Sequence, residues 1–239
     1  MEGSTPTSSV DTKTFSVLQP WKSDNGPRDL IRTWTRKRWS EFFPNAQWCE
    51  GTNDDEPFNR GAARNSAFEQ ADNDLIVILD ADTFQNPDAT IEGLALVGTM
   101  PWVLPYTTYY NLSEAQTVGL LEGPTDVTYP EDLDDFEHKL RTSISGILLM
   151  TKDVYREARG YDERFIGYGW EDNAFVAALT GTAGPVCRVD RAVFHMWHPL
   201  AGDPFQHPHK EHNRSLWQEY ERRAYDHELM KRYLEERDG

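Results

Sequence analysis

The sequence predicts an α/β fold: a mostly parallel, Rossmann-like central sheet flanked by helices, with a C-terminal helix. Three observations carry this. Between Thr14 and Leu79, strand-like and helix-like stretches alternate in the order that a parallel sheet with crossover helices requires. Leu75-Ile76-Val77-Ile78-Leu79 is an unbroken apolar run rich in β-branched residues, which suits a strand buried on both faces. The run ends in Asp80-Ala81-Asp82, so two carboxylates stand at the C-terminal edge, where open α/β sheets bind ligands. If strand geometry persists, alternation sends both side chains the same way. An acidic turn closing a strand is the plainer reading of Asp-x-Asp alone, since Asp often begins turns.

Taken in order, the polar segment Met1 to Lys13 lacks the apolar centre of a signal peptide and reads as a disordered leader. Thr14 to Leu18 is a short strand that halts at Gln19-Pro20-Trp21-Lys22-Ser23-Asp24. Gly26-Pro27 opens a helix to about Phe43, with Leu30, Ile31, Trp34, Arg38 and Phe42 as its packing face. Ala46 to Cys49 is a second strand, followed by the acidic loop Glu50 to Glu56. Pro57 to Phe68 reads as a helix N-terminal region leading to the Asp80 strand. Further on, Asn86-Pro87 starts a short helix to about Val97, Trp102 to Tyr110 is extended, and Ser113 to Gly123 is helical. Gly123 to Asp135 is acidic and turn-rich, the segment expected to be a mobile loop. Ser145 to Met150 is a strand; Thr151 caps a helix that Gly160 terminates. The Gly/aromatic stretch Tyr161 to Trp170 delivers Glu171-Asp172 to the first turn of a helix through Leu179, where the helix dipole also favours acids. Asn213 to Glu236 reads as one amphipathic helix, with Leu216, Tyr220, Ala224, Leu229 and Tyr233 on its apolar side, serving as a cap or a homodimer element.

Composition excludes several function classes. A formal net charge of −16 argues against binding nucleic-acid phosphate or an anionic membrane surface. An acidic chain that takes a phosphorylated ligand needs a metal or local cations. No run approaches a membrane-spanning length. Cys49 and Cys187, the only two cysteines, have no metal-ligand spacing and fit a reduced, cytoplasmic setting, with a bridge between them the alternative. His195 and His198, three apart after the strand Val189 to Phe194, can converge on one cation. His207, His209 and His212 form a second cluster, beside Pro208, that reads as a solvated loop and is left unassigned.

The ordered set Phe58-Asn59-Arg60, Asp80-Ala81-Asp82, Ser145-Gly146 and Gly160-Tyr161-Asp162-Glu163 through Gly167-Tyr168-Gly169-Trp170-Glu171-Asp172 resembles the GT-A fold glycosyltransferases. It is similar to the β-1,4-galactosyltransferases, the chondroitin-polymerase-type family 2 enzymes and the polypeptide N-acetylgalactosaminyltransferases. The resemblance spans roughly Phe15 to His198 and implies a catalytic domain over residues 14–212, preceded by the leader 1–13 and followed by the C-terminal helix 213–239.

The resemblance implies a site. Pro20, Lys22 and Arg60 go to the nucleotide diphosphate and base, Asp80 to the ribose, Gly146 to the nucleotide sugar, and Asp82 to the metal. Asp54 or Asp55 would accept from a uracil imide. The chain departs from the galactosyltransferases in the first-strand loop, where Trp21-Lys22-Ser23-Asp24 stands in place of arginines. A Met-x-x-His of those enzymes matches His195-Met196-Trp197-His198, so His195 and His198 join Asp82 as ligands. Carboxylate, imidazole and phosphate oxygen suit Mn²⁺, with Mg²⁺ the rival. Retaining N-acetylgalactosaminyltransferases have Glu-Asn where this chain has Glu171-Asp172, which implies inversion, with Asp172 as the base and Glu171 holding a sugar hydroxyl. Tyr168 and Trp170 would offer apolar faces to the sugars. The expected reaction moves a hexose or N-acetylhexosamine from a nucleotide sugar, a UDP-sugar foremost, to a hydroxyl of a glycan, protein or small molecule. Retaining transfer on the same fold is the alternative within the class. A nucleotidyltransferase would need a Gly-rich or Lys/Arg-rich phosphate cradle, which the sequence lacks. A non-catalytic sugar-binding module would explain the aromatics but not the acids and histidines together.

Overall fold

The computed structural model describes residues 14–131, 139–140, 143–199 and 208–238. The leader expected over 1–13, His207, Gly239 and the part of the 123–135 loop beyond Glu131 lie outside the described residues. In chain order the first elements are β1 (Phe15–Pro20), α1 (Pro27–Phe42), β2 (Gln47–Gly51), α2 (Arg60–Phe68), β3 (Leu75–Leu79), β4 (Thr83–Gln85), α3 (Pro87–Leu96), β5 (Trp102–Leu104) and β6 (Thr108–Asn111). They are followed by α4 (Glu114–Glu122), β7 (Lys139–Leu140), β8 (Ile147–Thr151), α5 (Lys152–Glu157), α6 (Glu171–Ala183), β9 (Cys187–Arg188), β10 (Ala192–His195), α7 (Lys210–Glu221) and α8 (His227–Asp238).

The opening alternation closes as expected: β1 lies parallel to both β2 and β3, each return passing through a helix. The main sheet has the order β2-β1-β3-β8-β5-β9. Its β2-β1, β1-β3 and β5-β9 pairings are parallel, while β8 runs antiparallel to both its neighbours. Ile76, Val77, Ile78 and Leu79 are each at most 1% exposed, which explains their unbroken apolar run; burying such a side chain stabilises by about 1.5–3 kcal/mol. A smaller sheet, β4-β10-β6-β7, stands beside the end of β3.

Local chemistry fixes the elements. Pro27 begins α1, and the Asp29 carboxylate accepts the Gly26 N–H at 3.1 Å. The buried stripe of α1 is Ile31, Trp34, Thr35, Arg38 and Trp39. It is centred one residue later than the sequence reading, so Leu30 faces solvent, 63% exposed. Asn59 caps α2, and Gly51 lets α2 cross the end of β2: a Cβ there would lie 1.7 Å from the Ala63 carbonyl oxygen. The first part of the expected mobile loop is anchored. The buried Arg38 guanidinium donates to the Thr125 and Val127 carbonyls at 2.6 and 2.7 Å, and Asn86 Oδ1 accepts from the Tyr129 N–H at 2.9 Å.

The single C-terminal helix read over 213–236 is two helices, α7 and α8. The buried residues explain the break. Tyr220 and Ala224 are one apolar line and Met230 and Leu234 another. Six residues separate Ala224 from Met230, which on a straight helix would turn the second line about 120° from the first. A turn closed by Asp226, whose carboxylate accepts the Leu229 N–H at 3.0 Å, lets both helices pack against α6. Tyr233 is half-buried, and Leu229 points outward, 38% exposed. Among the described residues, no helix is long and apolar enough to cross a membrane, and Cys49 and Cys187 are both free thiols.

Candidate active site

The main strand ends at Leu79, not Asp82. The Asp80 N–H donates to the Gly146 carbonyl at 2.9 Å and the Thr83 N–H to the Asp80 carbonyl at 3.2 Å, so Asp80 to Asp82 is a turn. The two carboxylates therefore face different partners rather than sharing the direction that a continuing strand would give them. Gly146 has φ +92°, and a Cβ there would crowd Thr83 and Tyr109, so the close approach that holds this turn needs glycine.

Asp82 belongs to the smaller sheet. β10 pairs antiparallel with β4, His195 opposite Thr83, and the Met196 N–H donates to the Asp82 carbonyl at 2.8 Å. This brings His195 Nε2 to 3.6 Å and His198 Nε2 to 3.3 Å from the Asp82 carboxylate oxygens. One ligating atom from each of the three lies within 4.8 Å of the others. Tyr109 stacks beside the His195 ring, 6.1 Å between centroids. Burial pushes the Asp82 carboxyl up, but the two imidazoles outweigh it and hold it well below the usual carboxylate range. Burial likewise pushes the His195 imidazole down, and Asp82 outweighs that and raises it. One hard carboxylate and two imidazoles, half-shielded and converging, fit a divalent first-row cation.

Asp80 belongs to a second cluster organised by Arg64 on α2. The Arg64 side chain is 2% exposed, with Nη2 2.7 Å from Asp80 Oδ1 and Nη1 3.1 Å from Asp172 Oδ1. The first contact is a hydrogen bond; the second has the distance of an ion pair without the angle, leaving Asp172 Oδ1 a buried acceptor with no hydrogen bond. One turn earlier, Arg60 Nη1 lies 3.0 Å from Glu171 Oε1, and its guanidinium stands over the Tyr168 ring at 5.0 Å. Glu171 Oε2 accepts the Gly169 N–H at 2.9 Å. Burial is the main cause that raises the Asp172 carboxyl to about 7; Arg64 pulls it down, while Glu171 and Asp80 push it up.

The loop before α6 is held from the far side. Trp170 takes a left-handed conformation, φ +67°, at the helix start. Asn213 on α7, fully buried, accepts the Ile166 N–H at 3.0 Å and donates to the carbonyls of Ile166, Tyr168 and Gly169 at 3.0 to 3.3 Å.

The structure thus gathers Arg60, Asp80, Glu171 and Asp172 in one group and Asp82, His195 and His198 in another, joined through the Asp80–Asp82 turn. Gly146 supports that turn, Tyr168 is exposed beneath Arg60, and Trp170 is half-buried against the core. Pro20 is buried at the end of β1, opposite Gly51. Lys22 turns instead to Glu56 at 2.6 Å, and Asp54 is exposed in the same β2–α2 connection. His212 accepts no role in either group, its Nε2 lying 2.9 Å from the Arg164 carbonyl. Sequence reading missed Arg64 and Asn213. Arg64 had a signal: Arg60-x-x-x-Arg64 at the start of a helix puts two guanidiniums on one face.

A family model described as glycosyltransferase like family 2 matches residues 42–188. No curated protein matches the chain. Among solved structures, TarS of S. aureus aligns with a TM-score of 0.51 at 12% identity, over 77% of this chain and 60% of that one, a likeness of fold. The catalytic domain of Drosophila β1,4-galactosyltransferase 7, in complex with xylobiose, aligns with a TM-score of 0.48 at 14% identity, over 84% of this chain and 79% of that one.

Proposed function

The chain belongs to the glycosyltransferase like family 2 and has the GT-A fold, and from that premise we propose that it is a metal-dependent, inverting glycosyltransferase. Its donor is a nucleotide sugar, a UDP-sugar by the motif resemblance, and it transfers a hexose or N-acetylhexosamine to an acceptor hydroxyl. The observation that carries this reading is the meeting, at one sheet edge, of a cation-ligand triad and a half-buried carboxylate whose protonation lies near neutrality.

Asp82, His195 and His198 would hold Mn²⁺ or Mg²⁺, which when bound neutralises charge on the leaving diphosphate. Asp172 takes the proton from the acceptor hydroxyl as its oxygen bonds to the anomeric carbon and the bond from that carbon to the phosphate oxygen breaks. A carboxyl titrating near pH 7 is a stronger base than a solvated aspartate while still ionised in neutral solution. Glu171, fixed by Arg60 and the Gly169 N–H, is positioned to hold a sugar hydroxyl, and the exposed Tyr168 face lies beside it. Asp80, fastened by Arg64, is left to the ribose. No enzyme nucleophile is needed, so the product anomer is opposite to the donor's. The free thiols of Cys49 and Cys187 accord with a cytoplasmic setting.

The test is a panel of nucleotide sugars with Mn²⁺, read by released nucleotide with and without acceptor. Nucleotide release from at least one donor is expected, abolished by chelator and by Asp82→Ala, with an inverted anomer by NMR. No release from any donor, or a retained anomer, would contradict the reading.

A further inference from the structure

We infer that Arg28, on the first turn of α1, is the side chain that grips the diphosphate of the donor; this rests on the nucleotide-sugar reading above and adds a residue to it. The inference begins from charge. Among the described cations around the two clusters, Arg60 is committed to Glu171 at 3.0 Å, Arg64 to Asp80 and Asp172 at 2.7 and 3.1 Å, and Lys22 to Glu56 at 2.6 Å. Arg32 is paired with Glu50. Arg28 has only a long approach, 3.9 Å, to Asp82 Oδ2, which places it against the cation-ligand triad without neutralising it.

Its setting is unusual for a structural arginine. Arg28 Nε is buried and has no hydrogen-bond partner, although the side chain as a whole is 36% exposed. The guanidinium stands over the Trp21 ring at 5.5 Å, with Arg32 over the same ring at 4.9 Å. Trp21 is itself buried, 6% exposed, and its backbone N–H donates to the Gly51 carbonyl at 2.9 Å. A π face holds a cation in place without consuming its charge or its donors. The position also opposes the helix dipole, which disfavours a cation in a first turn, so helix stability does not account for it. Nor does the helix end serve an anion by itself, because Asp24 and Asp29 already accept the Gly26 N–H. The loop Trp21-Lys22-Ser23-Asp24 carries no arginine, and Arg28 supplies from the helix the planar fork that matches phosphate oxygens.

The experiment is calorimetry of UDP, GDP and ADP with Mn²⁺ on the parent, Arg28→Gln and Arg28→Lys, with uridine binding followed by saturation-transfer NMR. Arg28→Gln is expected to weaken binding of the preferred nucleoside diphosphate roughly 10- to 100-fold, as for loss of a charged hydrogen bond, and to leave uridine unaffected. Arg28→Lys should recover part of the loss, since it keeps the charge but not the fork. Unchanged diphosphate affinity in Arg28→Gln would overturn the inference alone. Equal losses for uridine and diphosphate would also overturn it, since the loss would then not lie in a contact to the diphosphate. A parent protein that binds none of the three diphosphates would overturn the donor reading and this inference with it.

Discussion

Asp172 and Arg64 show how one buried cation serves two carboxylates at once. Asp172→Asn should lower turnover by about 10²–10⁴-fold, since a positioned base contributes on that order, while UDP affinity by calorimetry stays near the parent's. In the parent, kcat/KM should rise with pH through about 7 as Asp172 ionises. Arg64→Met should move that limb upward, because Arg64 is the strongest influence holding the carboxyl down. It should also cost about 3–5 kcal/mol by urea denaturation, since Asp80 and Asp172 lose their buried partner. Sequence disclosed the acids, because Asp80, Asp82, Glu171 and Asp172 sit at element ends where motif and topology point together. It did not disclose Arg64 as part of the site, because an arginine inside a helix reads as solvated until its helix is known to lie across the strand end.

At the scale of elements, the loop from Phe165 to Trp170 has no ladder or helix of its own and borrows order from Asn213. Asn213→Ala leaves the carbonyls of Ile166, Tyr168 and Gly169 without this donor. The expected cost is about 1–3 kcal/mol, with faster hydrogen exchange at Ile166 than in the parent. Asp226→Ala, removing the cap of α8, should cost about 1 kcal/mol and leave that loop alone. Element positions were largely legible: the Pro27, Ser113 and Thr151 helix starts and the β3 run all stand where their residues place them. The α7–α8 break was missed, because the apolar pattern over 213–236 reads as one continuous helix when the offset between Ala224 and Met230 is passed over. What local sequence does not contain is a contact such as Asn213 to Gly169, which depends on two distant segments meeting.

For the whole molecule, the raised Asp172 carboxyl sets the base role proposed for it against stability. Its carboxyl is protonated in the native chain up to about pH 7, against an ordinary value of 3.8. As pH rises between these values the unfolded chain gives up its proton first, so native stability falls; the loss is complete above the folded value. Asp172→Asn has no proton to lose and should gain on the parent across that window, by at most about 4 kcal/mol at pH 8. Thermal melts at pH 4 and pH 8 check this, the difference appearing only at the higher pH. The sheet is the other feature of this scale. Alternation gave β1, β2 and β3 their parallel arrangement, but nothing local told that β8 would enter antiparallel beside β3, since periodicity carries no strand direction.

That insertion bears on how the chain is made. During synthesis β1, β2 and β3 emerge together, whereas the strand that covers the other edge of β3 leaves the ribosome only after α3, β5, β6 and α4. Until then Leu75-Ile76-Val77-Ile78-Leu79 is an open, uncharged edge of the kind that templates aggregation. Nascent chains halted before Ile147 should therefore recruit chaperones through this segment. Moving a charge into it, as in Val77→Lys, should suppress that recruitment while destroying the finished core, because Val77 is fully buried there.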